Sequence, residues 1–156
     1  MKEKIIDTHN LNEARKLIEK LANEKKEIIV KGKTIGFNRI ILENKKVNML
    51  ILNHKTGKDK LKQRDSGLNQ VLCKIAKKNN IVLAIDLNEL KEEKEKKEKA
   101  KILARIIQNI KLIKKYKNEL KLLNFKNKSQ AFSFLITLGL PTDQAKKAVV
   151  KSIKIN

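Results

Sequence analysis

The fold is decided by the stretch from residue 63 to residue 76, which is Gln63-Arg64-Asp65-Ser66-Gly67-Leu68-Asn69-Gln70-Val71-Leu72-Cys73-Lys74-Ile75-Ala76. Apolar residues recur in it at i, i+3, i+4, i+7 and i+8, counted from Leu68, and this spacing predicts an amphipathic helix. Asp65 or Ser66 can accept hydrogen bonds from the N–H groups of the first turn, so we expect one of them to cap the helix. Short apolar runs at 47–52 and 81–85 flank the stretch and predict strands. The segment is therefore a strand–loop–helix–strand unit.

The rest of the chain continues this alternation of strands and helices. Apolar runs predict further strands at 4–9, 27–30 and 120–125. Helices are expected after Asn10, around 37–41, from Leu87 onward, after a Ser129 cap, and from Pro141. In the helix that begins at Leu87, charged residues pair at i, i+4: Glu92 with Lys96, Glu93 with Lys97, and Glu95 with Lys99. The alternation of strands and helices along the chain predicts a parallel α/β sheet covered by helices, in one domain over residues 1–156.

The charge balance points to a polyanionic partner. Among 156 residues, 38 Lys and Arg face 17 Asp and Glu, a formal net charge of +21. Such a field attracts nucleic acid, because Lys and Arg neutralise phosphates without regard to sequence. A lysine-rich genome would also raise the lysine count at exposed sites, and both explanations can hold together. Aromatic residues make up only 3%, which favours recognition of RNA backbone and shape over base stacking.

Other sequence features narrow the class of protein. There is no run of 18 apolar residues and no apolar signal core at the N-terminus, so we expect no membrane association and a soluble, cytoplasmic protein. Cys73 is the single cysteine, and its place beside Leu72 on the predicted helix favours a packed thiol over a nucleophile. No Gly-rich phosphate loop, serine elbow or Cys/His pair occurs, so no catalytic residue is assigned.

Several motifs together resemble the archaeal ribonuclease P protein component 3 family, which has a eukaryotic counterpart. The resemblance covers residues 37 to 152 and, loosely, Asp7-x-His9. The matching motifs are Arg64-Asp65-Ser66-Gly67-Leu68-Asn69 with Val71-Leu72 and Lys74-Ile75-Ala76, Asn38-Arg39 before Val47-Asn48-Met49-Leu50, Arg105-Ile106-Ile107-Gln108-Asn109-Ile110-Lys111-Leu112 with Lys115-Tyr116-Lys117, and Leu138-Gly139-Leu140.

The resemblance implies a TIM-barrel-like fold, related to the polymerase and histidinol phosphatase (PHP) phosphoesterases. Only five strands are predicted by pattern, so we expect a shortened or incomplete barrel of about five to seven strands. The signature residues Asp65, Ser66, Gly67 and Asn69 are expected to be structural. Gly67 would permit close backbone approach, and Asn69 would bond the neighbouring loop.

The resemblance also implies a function in a complex. The chain would be a subunit of ribonuclease P, which removes 5′ leaders from precursor tRNA, and its polypeptide would be non-catalytic. Expected partners are ribonuclease P RNA, precursor tRNA through the complex, protein component 2 in a heterotetramer, and other ribonuclease P proteins. No cofactor is expected on the polypeptide, and the RNA would require magnesium.

The alternative is a stand-alone, metal-dependent phosphoesterase of PHP type. Asp7, His9, His54 and Asp86 have metal-ligand chemistry and lie near the C-terminal ends of predicted strands, where barrel sites are built. With only two histidines, the ligand set is poor for a two-metal cluster. We therefore expect Asp7 and His9 to bond adjacent loops and His54 to lie in a polar, lysine-rich loop, with no metal bound.

The residues expected to contact RNA form two groups. The first is the loop that leads into the opening stretch, and its members are Lys55, Lys58, Lys60, Lys62 and Arg64. The second is a cationic helix face opposite an isoleucine stripe at 102, 106, 110 and 113. Its members are Lys101, Arg105, Lys111 and Lys115.

Overall fold

A computed structural model describes residues 3–151 and 153–155. Five strands form one parallel sheet in the order β1-β2-β3-β4-β5, so each strand pairs with the next one along the chain. The strands are β1 (Ile5–Ile6), β2 (Ile29–Lys31), β3 (Met49–Leu52), β4 (Val82–Asp86) and β5 (Leu120–Leu123). This succession is that of a TIM barrel, and the expected shortened, TIM-barrel-like fold is confirmed.

In the described part of the chain, seven helices connect and follow the strands. They are α1 (Leu11–Asn23), α2 (Ile35–Glu43), α3 (Gln70–Lys78), α4 (Asn88–Glu92), α5 (Lys96–Tyr116), α6 (Lys128–Thr137) and α7 (Thr142–Ala148). The main apolar core lies between the helices and the outer face of the sheet, where Leu50, Leu52, Leu83 and Ile85 are completely buried. The predicted isoleucine stripe of α5 lies in this core. Strand alternation thus supplies one face of side chains to every helix.

The inner face of the sheet is closed by the C-terminal segment. Residues 153–155 run along it and bring Ile155 against an apolar cluster whose members are Ile29, Met49, Ile51, Ala84 and Leu123. The segment is held by Asn124, whose backbone N–H donates to Ile153 O at 3.1 Å and whose Oδ1 accepts from Ile155 N at 2.9 Å. Both faces of a five-stranded sheet are therefore covered.

Two predicted helix caps are wrong. Helix α3 begins at Gln70, and its cap is Asn69, whose Oδ1 accepts from Leu72 N at 3.0 Å, rather than Asp65 or Ser66. Asn69 therefore caps its own helix instead of bonding a neighbouring loop. Because the helix starts only at Gln70, Leu68 lies in the loop, where its side chain is buried. The side chain of Val71, on the helix, is exposed. Helix α6 is capped by Asn127 through Gln130 N at 3.0 Å, and Ser129 lies inside it.

The charged helix predicted from Leu87 is also interrupted. Glu93 and Glu95 have extended backbone conformations, so α4 ends and α5 begins afresh at Lys96. Two of the predicted i, i+4 pairs span this break and cannot form as helical pairs. Residues 91–99 include no apolar side chain, so leaving the helix there loses no burial.

Candidate nucleic-acid interface

The candidate interface is the connection from β3 to α3, residues 53–69, which we call the β3–α3 loop. It starts at the C-terminal end of β3, at the edge of the sheet where barrel proteins build their sites. Among the described connections between a strand and a helix it is much the longest. A loop of this length without its own helix or strand must be held in place by specific contacts.

The outer half of the loop is a narrow turn. Lys60 and Gln63 exchange backbone hydrogen bonds of 2.8 and 3.2 Å, which leaves Leu61 and Lys62 at the tip. Asp59 Oδ1 accepts from Asp65 N at 2.8 Å, and Asp65 Oδ2 accepts from Lys58 N at 3.1 Å. The two arms are thus tied together by their aspartates at the base of the turn.

Gly57 allows the two arms to approach this closely. A Cβ atom at Gly57 would overlap the carbonyl oxygen of Asp65, so a larger residue would push the arms apart. Asp65 was expected to be structural, and its contacts lie in this crossing of the two arms.

Arg105 of α5 holds the β3–α3 loop in place from its buried side. The prediction that it lies on an exposed cationic face is wrong, because only 4% of Arg105 is exposed. Its guanidinium donates to His54 O at 2.8 Å, Gly57 O at 2.9 Å and Asp59 Oδ1 at 3.1 Å. One planar fork therefore holds three points of the loop, a geometry that lysine cannot reproduce.

The carboxyl group of Asp59 responds to this contact. Partial burial acts to raise its pKa. Hydrogen bonds from Arg105 and from the Asp65 backbone, together with the charges of Arg105 and Arg64, outweigh burial and hold the pKa below its usual value. Asp59 is therefore a firmly ionised partner for Arg105.

His54, the second residue of the loop, is fully buried, and the prediction of a polar, lysine-rich surrounding for it is wrong. Its Nδ1 lies 2.9 Å from Glu89 Oε2, and its Nε2 lies 2.9 Å from Asn109 Nδ2. Asn109 Nδ2 also donates to Ser66 O at 3.0 Å, which fixes the amide as the donor toward the ring. The network thus assigns the proton to Nδ1, which donates to Glu89. Both ring nitrogens are occupied by protein.

The end of the loop is anchored by Gly67 and Asn38. Gly67 has φ +73°, a left-handed conformation, and its carbonyl oxygen accepts from Asn38 Nδ2 at 2.9 Å. Asn38 Oδ1 accepts from Lys33 N at 2.8 Å, so one buried amide joins two loops at the same edge. A Cβ atom at Gly67 would lie 3.2 Å from Asn38 Nδ2 and 3.7 Å from Asn53 O, so the close neighbour at Gly67 is a side chain rather than backbone. Asn38 and Asn109 both lay in the family motifs, but nothing in their spacing indicated these contacts.

The cations of the β3–α3 loop and of α5 project away from these buried contacts. The side chains of Lys55, Lys58, Lys60, Lys62 and Arg64 are all exposed. On α5, Lys101, Lys111 and Lys115 are also exposed, with Lys101 paired to Glu98 at 2.7 Å and Lys115 lying 5.6 Å from the Tyr116 ring centre. Ten residues of helix, about 15 Å, separate Lys115 from the level of Arg105. The lysines of the loop and those near the C-terminal end of α5 therefore form separate patches.

Three of the four residues weighed as metal ligands, Asp7, His54 and Asp86, have protein partners instead. Asp7 bonds Lys33 and lies 3.4 Å from Lys31, and the hydrogen bond from Lys33 is the main cause of its lowered pKa. Asp86 Oδ1 accepts from Asn88 N at 2.9 Å and Asn124 Nδ2 at 2.6 Å. Within residues 3–151 and 153–155, no three His, Cys, Asp or Glu side chains are grouped to hold a metal ion. His9 lines a small recess beside Gly67 and Asp65.

Cys73 and a lysine-lined recess both lie away from the β3–α3 loop. Cys73 is buried in the core, where burial raises the pKa of its thiol to about 12, so it is not a nucleophile. A recess of about 750 Å³ lined by Lys77, Lys114, Lys117 and Lys147 lies at the opposite, N-terminal edge of the sheet. No helix in the described part of the chain is long and apolar enough to cross a membrane.

Fold and site together define the class of protein: an α/β protein with a shortened, TIM-barrel-like sheet and a braced cationic loop at its C-terminal edge. Within that class, the chain is similar to ribonuclease P protein component 3, as the sequence motifs predicted. It is 30% identical over 147 residues to the protein of that name from Methanosarcina acetivorans, covering 90% of this chain and 58% of the relative. With the Methanococcus maripaludis strain C7 protein it shares 30% over 111 residues, 71% of this chain and 45% of the relative.

One of two similar solved structures agrees with this similarity, and the other shares the fold alone. A chain in the cryo-EM structure of archaeal ribonuclease P with mature tRNA matches with a TM-score of 0.74 and 25% identity, over 94% of this chain and 63% of that one. A crystal structure of an uncharacterised protein, 8% identical, shares the fold alone, with a TM-score of 0.60 over 90% of this chain and 36% of that one. No protein-family model matches the sequence. The chain spans about half the length of the curated relatives that it matches.

Proposed function

We propose that this chain is a protein subunit of ribonuclease P, the ribonucleoprotein that removes 5′ leaders from precursor tRNA in the cytoplasm. The observation that carries the proposal is the similarity to ribonuclease P protein component 3 over 90% of the chain. In this role the chain pairs with protein component 2 in a heterotetramer, and other ribonuclease P proteins complete the complex. The pair contacts the catalytic part of the RNA.

The charge distribution supports RNA binding through the backbone. A net charge of +21 offsets phosphate repulsion as a large RNA folds, and so lowers the magnesium concentration at which the RNA is active. The loop cations supply the main contact because they project from a loop that Arg105 already holds in place, so that little conformational entropy is lost on binding. Lys101, Lys111 and Lys115 supply a second contact. Arg105 is excluded from direct contact by its burial.

In this proposal the polypeptide has no catalytic residue. The RNA holds the magnesium and cleaves the substrate, while the protein holds no cofactor of its own. His54, which lies at the start of the loop, supports this assignment, because Glu89 and Asn109 already occupy both of its ring nitrogens. A general base must be free to take a proton from its substrate.

Reconstitution tests the proposal. The full chain, component 2 and the cognate RNA are combined, and cleavage of labelled precursor tRNA is measured against magnesium concentration. We expect the protein pair to shift cleavage to lower magnesium and the chain alone to cleave nothing. Cleavage by the chain without RNA would favour the phosphoesterase alternative, and no effect on the RNA would contradict the subunit role.

A charge variant tests the loop. Replacing Lys58, Lys60 and Lys62 with Gln should flatten the dependence of RNA affinity on salt by about three units of slope. The matched control replaces three lysines at the start of α5 and just before it, Lys94, Lys96 and Lys97, which are also exposed but lie among glutamates. The net charge changes equally, so an equal loss in both variants would contradict a specific role of the loop.

A further inference from the structure

A small recess beside the β3–α3 loop combines cations with other side chains that the proposed contact with the RNA backbone does not require. Its volume is about 220 Å³, and it lies between the loop and the first residue of α2, Ile35. The loop lines it with Lys58, Lys60, Gln63, Arg64 and Asp65. It therefore has an aliphatic wall, three cations and two side chains able to bond the edge of a planar ring.

These groups match the parts of one nucleotide. An aliphatic side chain can cover the apolar face of a base, Gln63 offers both a donor and an acceptor to its edge, and the lysines and Arg64 suit its phosphate. In a helical stem both faces of every base are covered by stacking. Only an unpaired nucleotide can offer a free base to such a recess.

Leu61 gives a second, independent indication. It is completely exposed at the tip of the turn, between Lys60 and Lys62, in a chain whose other large aliphatic residues are mostly buried. Aliphatic side chains placed among cations serve as wedges against bases that have lost a stacking neighbour. The contacts of Arg105, Asp59 and Asp65 hold the tip in position before any RNA arrives.

We propose that the recess takes one unpaired nucleotide of an RNA strand, with its base against Ile35 and its phosphate among Lys58, Lys60 and Arg64. Leu61 then packs on the adjacent base pair, which the unpaired nucleotide has left without a stacking partner. The inference rests on the proposed function in that it requires RNA binding. It extends that function because the site selects an interruption in a helix as well as recognising phosphates.

The test compares three hairpin RNAs with the full-length protein at moderate salt. One has a fully paired stem, one carries a single unpaired adenosine in the same stem, and one has an extra base pair to control for added phosphate. We expect the hairpin with the unpaired adenosine to bind about tenfold tighter than both paired hairpins. In Leu61→Ser and in Ile35→Ala, that preference should fall to about threefold or less.

Val150→Ser is the matched control, because Val150 is an aliphatic residue that is 68% exposed and belongs to α7's C-terminal flank rather than to the loop. It should keep the full preference. Equal binding of all three RNAs by the unaltered protein would overturn the proposal that the recess takes an unpaired nucleotide, while leaving binding to the RNA backbone intact. A preference that persists in both Leu61→Ser and Ile35→Ala would also overturn it. Failure of every RNA to bind in a salt-dependent manner would instead overturn the proposed function.

Discussion

Replacing Arg105 with Met should destabilise the protein although the residue lies beside an exposed loop. Methionine keeps most of the volume of the side chain but removes all the donors, so His54 O, Gly57 O and Asp59 lose their partner. The bond to His54 O is buried and should contribute about 2 kcal/mol. The other two lie where water can replace them, since the Asp59 side chain is 30% exposed, and should contribute about 0.5 kcal/mol each. The expected loss in free energy of unfolding is about 3 kcal/mol.

Urea unfolding followed by circular dichroism measures this loss, and amide hydrogen exchange across residues 55–66 shows whether the loop opens. Lys101→Met is the control, because Lys101 lies one turn earlier on α5, is exposed and pairs only with Glu98 among the described ion pairs. It should change the free energy by less than about 0.5 kcal/mol. Arg105→Lys keeps the charge without the fork and should still loosen the loop. An unfolding free energy for Arg105→Met equal to that of the control, with unchanged exchange in the loop, would refute the bracing role.

Three further results are expected. First, the difference in unfolding free energy between the unaltered protein and Asp59→Asn should shrink as the pH falls below about 3.8. Because the pKa of Asp59 is lower in the folded protein than in the unfolded chain, its contribution to stability is present above the ordinary pKa and is lost as the pH falls through the pKa of the folded state. A difference in unfolding free energy that does not change with pH would contradict this. Second, Cys73 should not react with a thiol reagent at pH 8 until the protein is unfolded in urea, because burial raises its pKa to about 12; fast labelling of folded protein would show an open core. Third, Gly67→Ala should cost about 1–2 kcal/mol in urea unfolding, since φ is +73° and the added Cβ would lie 3.2 Å from Asn38 Nδ2. The opposite sign is expected for Gly36→Ala, in an open position of α2, and equal effects at both glycines would be inconsistent with the strain.

The sheet could be predicted because its determinants are local. Each buried strand is a short apolar run, and in a parallel sheet both faces of these runs are covered, so Met49–Leu52 and Val82–Asp86 were visible without any tertiary information. Helix ends were less predictable, since several polar residues near each start can act as caps. Asn69 and Asn127 act as caps because the backbone is already extended at those positions.

The candidate site could be predicted only in outline. The loop cations follow from composition and position, but Arg105 and His54 look like ordinary polar residues in the sequence. Their burial depends on contacts between residues 35 to 55 positions apart, and no local pattern reports such contacts. Helical spacing did contain one signal for Arg105. At 100° per residue it lies 60° from Ile102 and 100° from Ile106, at the border of the buried stripe, while Lys111 lies opposite that stripe.

The C-terminal segment over the inner face of the sheet has a geometric consequence for the barrel. In a closed barrel, strand number, tilt and stagger are coupled, because side chains from opposite strands must fill the interior together. Here Ile155 and Ile153 pack against the inner face of the sheet from a short segment held by Asn124. Within residues 3–151 and 153–155, this packing keeps Met49 and Ile51 out of water beside a sheet of five strands.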